Sequence, residues 1–162
     1  MFQRIKKLYH RWMAIGSEGL DSDTSIKHIK ALADLDDEWG LHEIGYRYDT
    51  GHSIDRDSQK AIFYYKRAFE KDGSTAQYAA ANIGNIYYQG RGVSVNLGKA
   101  AEWFKKAAEL GHPESQYNYG LSLIGGWNNT INKEEGIFWL EKSAKSGISQ
   151  ATETLAIHNK EN

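Results

Sequence analysis

Three stretches of this sequence align with one another without a gap: GHSIDRDSQKAIFYYKRAFEKD from Gly51, GRGVSVNLGKAAEWFKKAAELG from Gly90 and GWNNTINKEEGIFWLEKSAKSG from Gly126. A unit written repeatedly in phase constrains a fold strongly. One copy cannot bury its own apolar face and must stack on the next, which produces a solenoid instead of a globule. Gly45, Gly84 and Gly120 hold equivalent places, 39 and 36 residues apart, within the period range of α-helical repeats. The three extra residues of the first interval fall in EKDGSTAQ, a turn where added length harms no packing.

Each unit reads as a helix A, a loop and a helix B. The repeated glycine lies in mid-helix A, where glycine costs about 1 kcal/mol relative to alanine, so close approach of the partner helix has to compensate. Ile44, Ile83 and Tyr119 precede it by one residue, and Tyr48, Tyr87 and Leu123 follow by three, forming the core face. Gly51, Gly90 and Gly126 end helix A in a left-handed conformation. Asp57, Asn96 and Asn132 cap helix B by accepting from a free N–H of its first turn. Helix B repeats a small–aromatic–small pattern: Ala61, Tyr64, Ala68; Ala100, Trp103, Ala107; Gly136, Trp139, Ser143. The aromatic ring of each triplet is expected to fill the space between repeats. Pro113 opens the third helix A, where its missing N–H costs nothing.

The flanks are less regular. Phe2, Ile5, Leu8, Tyr9, Trp12 and Met13 recur at helical spacing with Arg4, Lys7 and Arg11 elsewhere, predicting an amphipathic helix. The expectation is that its apolar stripe packs on the stack; the alternative is a basic surface for a membrane or an acidic partner. The linker GSEGLDSD follows, and then a second helix containing Ile26, Ile29, Leu32 and Leu35, capped by Asp21 or Asp23. At the other end Ala151, Leu155 and Ala156 stand where Ser115, Tyr119 and Gly120 stood, predicting a last helix A and a fraying tail.

At these residues the pattern resembles the Sel-one-like repeat family, a subclass of tetratricopeptide-like α/α solenoids. The second unit carries the resemblance nearly throughout, through Ala79, Ile83, Gly84, Tyr87, Gly90, Gly92, Val93, Asn96, Lys99, Ala100, Trp103, Lys106, Ala107, Ala108 and Gly111. The first departs at Ser53 and Ile54 in the loop; the third departs at Asn128, Asn129 and the pair Glu135–Gly136. The resemblance spans residues 36 to 156. It implies an all-α fold, a right-handed α/α superhelical solenoid of about three to four helix-turn-helix repeats plus terminal capping helices. Residues 1–35 would be a divergent N-terminal helical pair, 36–148 three repeats, and 149–162 a capping helix and tail. It also implies an adaptor or scaffold without catalytic residues. Some small bacterial members of this size are associated with neutralising a cognate toxin.

Composition narrows the function. Twenty basic and 21 acidic residues give no net field for nucleic acid, whose binding rests on many phosphate contacts. With no cysteine, disulfides, zinc ribbons and thiol nucleophiles are out. The apolar run of MFQRIKKLYHRWMAIG is broken by Lys6, Lys7, His10 and Arg11, unlike a secretory signal. No window is apolar enough for membrane insertion, so a cytoplasmic location is expected.

Possible chemical motifs also fail. GVSVNLGKA has five residues between its glycines where a phosphate loop has four, and Ala100 where Ser or Thr would meet magnesium. The histidines at 10, 28, 42, 52, 112 and 158 never pair at helical metal spacing. Asp55 with Asp57, and Asp21 with Asp23, lack the remaining ligands of a calcium loop; Asp34, Asp36, Asp37 and Glu38 read as helix-terminus charges. No enzyme activity, cofactor or metal is expected. A hydrolase of cell-wall or lactam substrates, which the resemblance also brings up, has no nucleophile or metal set here.

What remains is a surface. If helix A lines the concave side, the side chains off its packed stripe are Trp39, His42, Tyr46 and Asp49; Tyr78, Asn85, Tyr88 and Gln89; and Tyr117, Leu121 and Ile124, with Trp127 a further exposed aromatic. Tyrosine and tryptophan are enriched in protein-binding hot spots, although each could instead pack between neighbouring helices. The expected activity is non-catalytic protein binding by a monomer or weak dimer, most specifically an immunity-type inhibitor of one toxin domain. A regulatory adaptor recruiting peptide segments is the alternative.

Overall fold

The computed structural model describes residues 2–16 and 22–161, so Asp21 as a cap and most of the linker GSEGLDSD lie outside the described residues. Among those described, nine α-helices and no strand occur: α1 (Phe2–Gly16), α2 (Ser22–Asp34), α3 (Glu38–Thr50), α4 (Ser58–Phe69), α5 (Ala76–Gln89), α6 (Leu97–Glu109), α7 (Pro113–Gly125), α8 (Lys133–Lys145) and α9 (Ser149–Glu161). This is the all-α α/α solenoid class. Helices α3, α5 and α7 are the three helices A; α4, α6 and α8 are the helices B. The chain divides into two compact units, residues 1–79 and 80–162.

The helix ends follow the sequence closely. Asp57, Asn96 and Asn132 accept from the backbone N–H of Lys60, Lys99 and Glu135 at 3.0, 2.8 and 3.1 Å. Gly51, Gly90 and Gly126 have φ of 76°, 67° and 65°, so Cβ-free residues end helix A in all three copies. Asp37 caps α3 by accepting from Gly40 N–H at 3.1 Å, and Pro113 sits in the first turn of α7. Asp23 lies inside the first turn of α2 and does not precede it.

Each cap residue also closes its loop through its own backbone. The N–H of Asp57, Asn96 and Asn132 donates to the carbonyl of Tyr48, Tyr87 and Leu123 at 2.9, 2.9 and 3.0 Å. This closure survives the loop differences. Ser53 takes the left-handed φ of Gly92, 63° in each, whereas the third copy moves its left-handed residue one place on, to Asn129 at 64°. Asparagine adopts this region more readily than most residues.

In unit 1 the core holds Leu32, Leu41, Ile44, Ala61, Tyr65 and Ala68. Unit 2 is built on Ile83, Ile86, Phe104, Leu140 and Ala151, with a cluster of Ala100, Phe104, Ala108, Tyr119, Leu123 and Trp139. The mid-helix glycines make room for bulky side chains of helix B. A Cβ on Gly45 would lie 2.9 Å from the Tyr65 ring, one on Gly84 2.7 Å from the Phe104 ring, and one on Gly120 3.0 Å from Leu140 Cγ. The third pair is closer still, since a Cβ on either Gly120 or Gly136 would meet the other residue's carbonyl oxygen at 2.9 Å. Backbone proximity therefore explains why the third copy has Gly136 where the others have alanine.

Two packing expectations are corrected. In the first two copies the fully buried ring of helix B is one position later than expected, Tyr65 and Phe104 in place of Tyr64 and Trp103, whereas in the third the expected Trp139 is itself buried in the core cluster, next to the fully buried Leu140. Tyr64 instead stacks on Tyr48 and Trp103 is half-buried under Lys106, while Trp139 packs edge-on against Tyr119 inside the core cluster. One residue is a 100° turn of the helix, so a triplet pattern alone does not fix which neighbour faces inward. The apolar stripe of α1 is the second correction. Phe2, Ile5, Leu8, Tyr9 and Trp12 are exposed, and α1 meets the rest of unit 1 through Ala14, His10 and Arg11.

Candidate protein-binding face

In unit 1, α3 and the first turn of α5 carry Trp39, His42, Tyr46, Asp49 and Tyr78. Tyr46 and Tyr78 are 45% and 50% exposed, so their rings present apolar area and a hydroxyl to whatever approaches. Trp39 is half-buried under the Arg11 guanidinium, 5.6 Å from its ring. His42 is also half-buried, its ring 5.4 Å from Tyr65. Asp49 departs from the expected face: it is buried at 3% exposure, and its backbone carbonyl accepts from Arg56 Nε at 2.7 Å. It is not presented to a basic partner.

In unit 2 the register places Tyr88 and Gln89 in the open and Asn85, Tyr117, Leu121 and Ile124 half-buried. Tyr88, 45% exposed, stacks on Trp127 with ring centroids 5.1 Å apart and an interplanar angle of 16°. Trp127 is thus half-buried against the core cluster instead of free in its loop. The pair is a continuous aromatic platform whose outer part is Tyr88. Tyr117 lines a shallow cavity of about 330 Å³ with Glu114, Asn118, Ile148 and Gln150. Ile124 fills the space that a Cβ on Gly136 would occupy, its Cγ1 2.7 Å from that point.

The sequence reading missed two exposed aromatics. Phe63 and Phe138 occupy equivalent places on α4 and α8, with Arg67 and Lys142 over their rings at 5.7 and 5.9 Å. The signal was available six residues after each cap, but in the second copy that position is Glu102. A further open cavity of about 670 Å³ in unit 1 is lined by Lys30, Tyr48, Asp55, Arg56 and Lys60, among others. Among the described residues no three His, Asp or Glu side chains converge as a metal ion requires, and no helix is long and apolar enough to cross a membrane.

Titration behaviour is set by burial. Desolvation holds His42 and His112 below their ordinary value of 6.5, partly opposed by Glu43 and Glu114. His10 is lowered by desolvation and by the charges of His28 and Lys6. Burial and Glu135 push the Tyr119 hydroxyl up to about 12. His112 also caps α7, its Nδ1 accepting from Ser115 N–H at 3.3 Å, which requires that nitrogen to be unprotonated. A histidine whose pKa falls on folding contributes stability that is complete above its unfolded value and is lost as pH falls through it. The unfolding midpoint in urea is therefore expected to drop between pH 7.5 and pH 5.5, the window around the unfolded value of about 6.5. His112→Asn, which keeps a capping oxygen, should flatten part of that slope. A midpoint that rises on acidification would show that these histidines do not fold in the neutral form.

Comparison with known proteins gives a consistent answer. The family model described as Sel1 repeat matches residues 40–73, 75–112 and 113–148. A curated relative, the ERAD-associated E3 ubiquitin-protein ligase component HRD3B of Arabidopsis thaliana, is 29% identical over 108 residues, 65% of this chain. The chain spans only 16% of that relative's length. A Sel1 repeat protein from Oxalobacter formigenes superposes with a TM-score of 0.68 at 28% identity, covering 79% of this chain and 94% of that one. A protective antigen of uropathogenic Escherichia coli with an SLR fold superposes with a TM-score of 0.81 at 22% identity, over 94% of this chain and 32% of the other. Proteins built from this repeat are protein–protein interaction modules and are generally non-catalytic scaffolds.

Proposed function

The chain belongs to the Sel1 repeat family, and on that premise we propose that it binds one protein partner through the tyrosine-bearing faces of its helices A. The observation that carries this reading is the exposure of Tyr46, Tyr78 and Tyr88 at 45%, 50% and 45%, all three on helices A. A tyrosine ring is ordered by two torsions, so holding it costs little entropy for the area it buries on a partner. The backing of Tyr88 by Trp127 holds its ring before any partner arrives, which lowers the cost further.

The finer reading is an immunity-type inhibitor that covers the active site of one cognate toxin domain in the cytoplasm. Occlusion suffices for this, and no catalytic group is needed. Asp49 supplies no charge to such a contact, because its side chain is buried. A second reading, recruitment of segments within a larger assembly, is favoured by the likeness to HRD3B, whose description is that of a ubiquitin-ligase component.

The test is affinity capture of the tagged protein from an extract of its own cells, beside a Tyr46/Tyr78/Tyr88→Ala variant. Truncating hot-spot residues costs about 2 kcal/mol or more each, so the triple variant is expected to lose its partner while keeping its helicity. One stoichiometric partner lost in this way supports a dedicated inhibitor if it is a toxin domain. Many weak partners support recruitment. Capture that the three substitutions leave unchanged removes the helix A face from consideration.

A further inference from the structure

The helix α1 is packed the wrong way round for an ordinary amphipathic helix. Its small and polar side faces the protein: Ala14 is buried, with its carbonyl accepting from Ser25 Oγ at 3.3 Å. His10 Nδ1 lies 2.9 Å from His28 Nδ1, Arg11 pairs with Asp37 at 3.1 Å, and Lys7 Nζ donates to the Asp36 carbonyl at 3.4 Å. These contacts fix the helix on unit 1 by one edge.

The opposite face is apolar and open. Trp12 is 72% exposed and Leu8 61%, and Phe2, Ile5, Tyr9 and Ile15 are also more than half exposed. At 100° per residue these six side chains fill one arc of about 140°. Arg4 borders the arc on one side and Lys6 on the other, both exposed. From Met1 to Ser17 the sequence has four lysines and arginines and no acidic residue.

We propose that α1 is an interfacial anchor that lays its Phe2, Ile5, Leu8, Trp12 and Ile15 face on an anionic phospholipid surface. Three features select that occupant. An apolar arc with cations at both edges matches the boundary between acyl chains and negative headgroups, into which such a helix settles parallel to the membrane plane. The Lys6 and Arg4 stems reach back to the headgroups while their charges remain hydrated. Trp12 and Tyr9 belong to the residue types enriched at that boundary. A second copy of the chain is a poorer occupant, because pairing two such faces brings cationic edges together with no acidic residue on α1 to meet them. With 15 residues, the helix lies on a bilayer and does not span it.

The experiment is co-sedimentation of the full chain with phosphatidylcholine vesicles, with and without a minority of phosphatidylglycerol. The chain is expected to pellet with the anionic vesicles, to bind pure phosphatidylcholine about tenfold less or weaker, and to be released by raised salt. Arg4→Glu/Lys6→Glu should reduce binding by about tenfold or more, and Leu8→Ser/Trp12→Ser should abolish it. All four side chains are exposed, so far-UV circular dichroism should be unchanged. If the apolar variant loses helicity, the charge variant decides alone. Failure to pellet at low salt overturns the proposal, as does equal binding to both vesicle types. So does self-association, or capture of an acidic protein, that the Leu8→Ser/Trp12→Ser variant removes in the absence of any vesicle binding.

Discussion

Gly40→Ala is expected to lower the thermal midpoint of this protein by about 10 °C, although alanine is the better helix former. Gly40 lies in the first turn of α3, where α2 and α3 cross. A Cβ there would lie 2.3 Å from Leu32 Cβ and 2.9 Å from both Ala33 N and Leu32 C. Two of those atoms are backbone, and Leu32 is fully buried, so no flexible side chain can swing away. The helices would have to separate. Propensity favours alanine by about 1 kcal/mol, whereas overpacking costs typically 1–3 kcal/mol and sometimes more. With backbone as the obstacle the cost goes beyond that range, to about 4 kcal/mol. A net loss of about 3 kcal/mol in a chain of this length corresponds to the stated shift. Thermal unfolding followed by circular dichroism measures it, and an unchanged or higher midpoint would mean that α2 and α3 are not in contact at Gly40.

Gly84→Ala tests the equivalent idea in unit 2, where the obstacle is a side chain and can be removed. A Cβ at 84 would sit 2.7 Å from Cδ1 and Cε1 of Phe104, itself fully buried. The single substitution should cost about 2 kcal/mol through overpacking, and Phe104→Ala alone about 3–5 kcal/mol through the cavity it leaves. The double variant should be more stable than the sum of the two by about 1–2 kcal/mol, because the new methyl then enters vacated space. Additive losses in urea unfolding would show that the ring of Phe104 is not what requires glycine at 84.

Most of the repeat architecture could be derived from residues with local rules. A cap such as Asn96, a left-handed Gly90 and a Pro113 in the first helical turn act within four residues, so their meaning does not depend on the rest of the chain. The mid-helix glycines also told correctly, since glycine in a helix needs a tertiary reason. Packing direction was less legible. Tyr64 and Tyr65 are both aromatic, and only the approach of α3 decides that Tyr65 turns inward. The stripe on α1 was readable as amphipathic, but the choice between burying and exposing it depends on what α2 offers, and α2 offers His28, Ser25 and the edge near Asp37. Among the candidate residues, the exposure of Tyr46, Tyr78 and Tyr88 follows from their places off the packed stripe of helix A, whereas the burial of Asp49 does not. Its neighbour Arg56 lies in the loop beyond, and no periodicity places that side chain over the end of α3.

The loop closure by backbone alone has a consequence for how this chain can vary. In all three copies the N–H of the capping residue reaches the same carbonyl of helix A, while the intervening residues read HSIDR, RGVSV and WNNTI. Apart from those that anchor the loop, such as Arg56 on the Asp49 carbonyl and Trp127 on the core cluster, the side chains in those five positions are relieved of the task of setting the geometry of the next helix. They form an interchangeable cassette, in which recognition surfaces can diverge between copies without disturbing the scaffold that displays them.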